Sequence, residues 1–159
     1  MPTPPEGLLA IGKEGDTIFQ NYPHPDRFGE LLGYSVGAVD RDSGSAVVTL
    51  TARAEHLSPS GRVHGGVISS LLDYACGIAV CSTLGPHEVC STVEIKVSYF
   101  RPIRLGDDLE AVAQVAFRGK RLCALVATLK RKGDIQPVAM ASATFNVVEN
   151  GGGDDGQGK

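Results

Sequence analysis

Between Val63 and Val80 the chain reads VHGGVISSLLDYACGIAV, and no other stretch limits the possible folds as much. Ile68, Leu71, Leu72, Ala75, Ala79 and Val80 recur at spacings of three and four, the period of an α-helix. Cys76 widens that stripe, and Ser69, Ser70 and Gly77 keep much of the remaining surface small. A helix that is apolar or small nearly all round has to be buried nearly all round. The pattern predicts a helix that opens at Gly65 and Gly66 and ends near Leu84, Gly85 and Pro86.

The rest of the chain offers mostly strands to cover it. One short helix precedes, starting at Pro25 or Asp26 and stopping at Gly33. Tyr34 to Val39 and Ala46 to Ala52 read as a hairpin around the turn at Asp42, Ser43 and Gly44. After the long helix four more strands are expected, at Val89–Tyr99, Leu109–Phe117, Leu122–Leu129 and Val138–Val147. In the first of these Val89, Val93, Ile95, Val97 and Tyr99 face one way, with Thr92, Glu94, Lys96 and Ser98 opposite. Leu109, Ala111, Ala113, Val115 and Phe117 share one face of the next. Strands that cluster instead of alternating with helices predict an α+β fold with a mostly antiparallel sheet of about six strands. With one long helix to bury, that sheet is expected to curl around it.

At 159 residues the chain suits one domain. Residues 24–148 are read as that domain. Residues 1–23 form a partly flexible N-terminal segment, because MPTPPEG is proline-rich. Residues 149–159 form a disordered tail, because NGGGDDGQGK contains no apolar side chain. A net charge of −3 argues against a nucleic-acid partner. The longest apolar run is too short and too interrupted to cross a bilayer. The N-terminus lacks the basic and apolar regions of an export signal, so a cytoplasmic protein is expected. Cys76, Cys81, Cys90 and Cys123 form no CxxC pair and no cluster with zinc spacing, so no metal is expected and the thiols are read as reduced.

One residue conflicts with the helix it occupies. Asp73 stands in the middle of the apolar run, where burial of a carboxylate is costly and raises its pKa. Two readings fit: a side chain that meets water or caps a nearby loop, or one that does chemistry. The glycines ahead of it have two readings too. They serve as a tight turn into the helix, as backbone N–H donors for an anion at the helix start, or as both.

The text HLSPSGRVHGGVISSLLDYACG, followed by STVEIKVSYFRPIRLGDDLEA and the turn RGKR, resembles the hotdog-fold acyl-CoA thioesterases. The likeness is to the phenylacetate-pathway and 4-hydroxybenzoyl-CoA thioesterase families. It runs from about residue 28 to 148 and rests on HGG with an acid nine residues after the histidine, here His64 and Asp73. The resemblance implies a curled sheet around a central helix, and hydrolysis of an acyl-CoA to the free acid and coenzyme A. No separate cofactor is implied, since coenzyme A is part of the substrate. Asp73 would be the nucleophile or general base. Gly65 would offer the oxyanion donor, with Gly66 beside it, and His64 would fix the loop or polarise the substrate. Ser91, eighteen residues after Asp73, matches a hydroxyl that orients water in some relatives. Ser58 stands where relatives commonly carry Asn. The segments matching Ser98, Tyr99, Phe100, Arg101 and Pro102, and Arg118, Gly119, Lys120 and Arg121, contact the CoA nucleotide in relatives. Independently of the resemblance, nine of the fifteen basic residues lie between 94 and 132, against four acidic ones, which suits phosphates.

Spacing adds one expectation. Gly65 and Asp73 are eight residues apart, or roughly 12 Å along a helix at ~1.5 Å per residue. An oxyanion donor and an attacking group must both come within about 3 Å of one carbonyl. Two antiparallel copies of the helix across a two-fold axis meet that demand, so a homodimer is expected; the resemblance implies that such dimers can pair further into a homotetramer. A hotdog dehydratase or hydratase, or a non-catalytic acyl-CoA-binding or sensing protein, are the alternative readings.

Overall fold

The long helix forms as its periodicity predicts, spanning Gly65–Cys81 (α2), and it organises everything around it. The computed structural model describes residues 9–10 and 17–150. In chain order its elements are β1 (Leu9–Ala10), α1 (Arg27–Leu32), β2 (Ser35–Asp40), β3 (Ser45–Thr51), α2, β4 (Glu88–Tyr99), β5 (Asp108–Arg118), β6 (Leu122–Arg131) and β7 (Ala139–Glu149). The strands form one antiparallel sheet in the order β1-β2-β3-β5-β6-β7-β4. Six of them are the strands expected from sequence. The two-residue β1 adds an edge beside β2. This is the α+β architecture expected, a curled sheet around one long helix.

α2 packs against β3 to β7. Ile68, Leu71, Leu72, Ala75, Cys76, Ile78, Ala79 and Val80 are all buried. Each large aliphatic among them contributes about 1.5–3 kcal/mol relative to exposure. The sheet's inner face meets them with Val48, Leu125 and Leu129 and with many alanines (Ala46, Ala111, Ala113, Ala127, Ala143), small enough for the helix to lie close. α2 stops at Cys81, three residues before the expected end. Beyond it Thr83 N–H donates to Val80 O and Leu84 N–H to Cys81 O, tighter turns that satisfy the last carbonyls without continuing the α-helix.

Three strands carry β-bulges: β2 between Val36 and Val39, β4 between Thr92 and Glu94, and β5 between Val115 and Phe117. A bulge adds one unpaired residue and swaps the face of everything beyond it. This corrects the alternation read from sequence. In β5 Val115 packs on the core, but Phe117, past the bulge, is 62% exposed on the outer face. In β4 Cys90 and Thr92 face the helix before the bulge, and Ile95, Val97 and Tyr99 face it afterwards.

The described part of the N-terminal segment joins the domain. Ile18 is buried in the core, and Phe19 and Tyr22 pack against it. The Asn21 amide donates to Gly85 O at 2.9 Å and Glu88 O at 2.7 Å. At the other end β7 runs through Glu149, and Asn150 N–H donates to His87 O. The proline-rich start and the residues from 151 onward lie outside the described residues. No helix among the described residues is long and apolar enough to cross a membrane.

Candidate functional site

Asp73 lies on the one strip of α2 that the sheet leaves open. Gly66, Ser69, Ser70, Asp73 and Gly77 follow one another at helical spacing along this strip, and none of them is buried. The hydroxyls of Ser69 and Ser70 turn back onto Gly66 O, at 3.1 and 2.7 Å. The Asp73 carboxylate is half-buried and borders a cavity of about 280 Å³. Phe19, Tyr22, Tyr74, Gly77, Ile78, Cys81, Cys90 and Phe145 form most of its wall. Burial pushes the Asp73 pKa up, partly offset by a hydrogen bond from Thr92 Oγ1 to Asp73 Oδ1 at 2.8 Å.

A second carboxylate, Asp26, borders the same cavity, and its bonding differs. Asp26 caps α1 by accepting from Gly29 N–H at 3.0 Å, and it also accepts from the hydroxyls of Tyr34 and Tyr74. Three donors hold it in a structural role. Asp73 accepts one hydrogen bond among the described residues, which leaves Oδ2 available to a water or a substrate.

The helix start is arranged differently from the expected pair of free amides. His64 caps α2, and its Nδ1 accepts from Gly66 N–H at 2.8 Å. In this bond Nδ1 is the acceptor, which leaves Nε2 as the ring nitrogen that can donate. Gly66 N–H is occupied, and Gly65 N–H has no partner among the described residues. A side chain at Gly66 would stand 3.0 Å from His64 Nδ1, so the cap explains that glycine. A side chain at Gly65 would meet only the Tyr99 ring, at an ordinary 3.6–3.7 Å. Among the described residues no close contact requires Gly65 to be glycine.

The remaining expected residues scatter. Strict alternation along β4 puts Ser91 with Val89 and Val93 on the inward face. The bulge puts Thr92 there instead, while Ser91 Oγ donates to Asn146 Oδ1 at 2.5 Å and reaches only the cavity rim. Ser58 turns its hydroxyl to Ser60 at 2.8 Å, and no hydrogen bond links it to Asp73. Tyr99 OH donates to Gly65 O at 3.2 Å, which ties the end of β4 to the start of α2. Ser98 pairs with Met140 in the sheet, Phe100 is exposed, and Pro102 O accepts from Arg131.

The basic segment is not one free patch. Arg101 pairs with Asp134, Arg131 with Asp134 and Asp107, and Arg118 with Glu88. Gly119 closes a tight turn, where a side chain would crowd Phe117 at 3.0 Å and Leu122 O at 3.2 Å. Lys120 and Arg121, which form no ion pair among the described residues, border a separate groove with Leu122 and Asn146. Arg118 sits by Glu88 at the start of β4, and Phe100 follows its end. At ~3.3 Å per residue the two segments lie roughly 35 Å apart along that strand. A single protomer does not bring them together, nor Gly65 and Asp73.

The sequence reading missed Thr92, Gly77 and the cavity wall. Gly77 and Cys81 follow Asp73 by four and eight residues, so helical spacing alone points to them. Nothing in the sequence signals that Phe19 and Tyr22 fold back onto α2. Among the described residues no group of three or more potential ligands could hold a metal ion.

Residues 60–138 match the family model described as the Thioesterase superfamily. The chain is 38% identical over 96 residues to the acyl-coenzyme A thioesterase PaaI of Escherichia coli, covering 60% of this chain and 65% of that protein. It thus spans slightly under two thirds of that relative. It is 27% identical over 118 residues to human acyl-coenzyme A thioesterase 13, covering 74% of this chain and 82% of that one. Among solved structures, the phenylacetic acid degradation-related protein of Ralstonia eutropha JMP134 superposes with a TM-score of 0.71 at 32% identity. That match covers 77% of this chain and 92% of the other.

Proposed function

The chain belongs to the thioesterase superfamily, and from that premise we propose that it hydrolyses an acyl-CoA thioester at a site shared by two protomers. The observation that carries the reading is Asp73: a half-buried carboxylate on a cavity wall, held by one hydrogen bond, with its pKa raised by burial. A carboxylate in that state is a proton acceptor poised closer to neutral pH than an exposed one. Asp73 takes a proton from a water molecule as its oxygen attacks the thioester carbonyl carbon. The oxyanion forms against the partner's copy of the Gly65 N–H, at the positive end of α2. Collapse of the tetrahedral intermediate breaks the C–S bond, and the coenzyme A thiolate leaves and takes up a proton. Lys120 and Arg121, which pair with no carboxylate among the described residues, are the cations best placed to receive the coenzyme A phosphates.

Two protomers are required by distance, because Gly65 and Asp73 sit roughly 12 Å apart on one rigid helix. The open strip of Gly66, Ser69, Ser70 and Asp73 gives a partner helix a surface without bulk. A mixing experiment tests the sharing directly. Asp73→Asn and Gly65→Val each abolish release of coenzyme A thiol. Unfolded, mixed and refolded together, they regain about a quarter of wild-type activity, since half the dimers are mixed and each mixed dimer rebuilds one site. Absence of any recovery, from variants that refold and associate, means that the site is not shared. Wild-type protein that binds acyl-CoA without releasing thiol removes the hydrolytic reading altogether.

A further inference from the structure

Cys81 at the end of α2 and Cys90 near the start of β4 bring their sulfurs to 3.8 Å, in contact with the hydroxyl of Tyr22. Both residues line the cavity that borders Asp73, Cys90 partly exposed and Cys81 buried behind it. Cys76 and Cys123 are buried and make no such contact with another sulfur. We propose that Cys81 and Cys90 are a covalent modification site, oxidised by a hydroperoxide to a disulfide that closes the far end of the cavity.

The surroundings assign the two thiols different roles. The hydrogen bond shared with the Cys81 sulfur, and after it the Tyr22 hydroxyl that donates to Cys90 Sγ at 3.4 Å, hold the Cys90 pKa down against burial and the charge of Asp73. The same shared bond and burial push the Cys81 pKa up. Tyr22 OH, itself hydrogen-bonded to Cys90 N–H at 2.8 Å, stands at the same point. Thiolates, not thiols, attack peroxides. The Cys90 thiolate therefore takes an oxygen from the hydroperoxide, ROOH, breaking the O–O bond to give a sulfenic acid, and the displaced alkoxide is protonated to ROH. The Cys81 sulfur then attacks the Cys90 sulfur, the S–S bond forms, and water leaves. Two thiols and ROOH become one disulfide, ROH and water. Bonding draws the sulfurs from 3.8 Å to about 2 Å, a small movement for a helix end and a strand start. Cys76, with its pKa pushed up to about 12 by burial, is a slow competitor and an internal control.

The site is tested on the full chain, reduced and then exposed to hydrogen peroxide at neutral pH. Mass spectrometry of the denatured protein is expected to show a loss of about 2 Da, with two titratable thiols remaining of four. Cleavage after Glu88 separates Cys81 from Cys90, so the disulfide appears as two joined peptides that part on reduction. Cys81→Ser is expected to stop at oxygen addition on Cys90. Wild-type protein that only gains oxygen, or whose disulfide involves Cys76, Cys123 or a second chain, overturns the proposal. The wild-type measurement needs no substituted protein to fold, and it does not depend on the thioesterase reading.

Discussion

The two faces of α2 follow opposite rules. The face toward the sheet is filled: Ile68, Leu71, Leu72, Ala75, Cys76 and Ala79 are all buried against the strands. The other face is kept sparse, with two glycines, two serines and a carboxylate. It gives up helix propensity at Gly77 and desolvates a charge at Asp73. The first face holds the fold together. The second weakens it at the positions where a substrate would need room and a base, which is how a functional site differs from a core.

Substitutions on the two faces test that contrast, and the largest effect is expected at Asp73. Asp73→Asn should lower kcat/KM by about 10²–10⁴, the usual worth of a general base. It should also raise the melting temperature at neutral pH. The folded-state pKa lies above the unfolded value, so the folded protein binds the proton more tightly and loses stability as pH rises through that interval. Asn carries no charge to desolvate and removes that penalty. The gain should shrink as pH falls toward the ordinary aspartate value of 3.8. A loss of stability at neutral pH would mean that Asp73 belongs with the packed face.

On that packed face Leu72→Ala should cost about 2–5 kcal/mol in chemical denaturation. Its activity per folded molecule should fall far less than that of Asp73→Asn. Thr92→Val tests the partner of the base. Removing the hydrogen bond that holds the Asp73 pKa down should move the acid limb of the kcat/KM profile to higher pH, with a smaller change at the plateau. Gly77→Ala should stabilise by roughly 0.5–1 kcal/mol, since the nearest obstacle to the new methyl is Phe145 at 3.7 Å. It should also reduce hydrolysis of bulky acyl groups more than of acetyl, read as a ratio of kcat/KM values. The smallest effect is expected outside the contrast altogether, at Phe117→Ser, within about 0.5 kcal/mol of wild type by thermal melting. A larger loss there would show that the outer face of the sheet is covered by another copy.

Helix and strand positions were legible because each element carries its own period. Apolar residues at spacings of three and four located α2, alternation located β5, and an apolar run between two turns located β6, each strand to within a residue or two. Asp73 was legible because a charge among aliphatic residues breaks that period. Thr92 was not, because alternation carries no sign of the bulge at Val93. That extra residue is visible only when β4 is laid against β7, where Thr92 pairs with Phe145 and Glu94 with Thr144. The Cys81 and Cys90 contact was equally hidden. It joins a helix end to a strand start across a turn whose path is held by Asn21 from the distant N-terminal segment.

By itself the sequence determined which segments are helix and strand, that one helix had to be wrapped by a sheet, and which residue in that helix was out of place. These follow from local periodicity and from the free energy of burying apolar surface, which adjoining residues largely decide. The tertiary structure alone decided that Thr92 and not Ser91 meets the carboxylate, that His64 takes the Gly66 amide and leaves that of Gly65 free, and that Arg101 and Arg118 are already paired. Each of those outcomes depends on a partner far away in the chain, and a backbone group or charge is free only once every other residue has found its place.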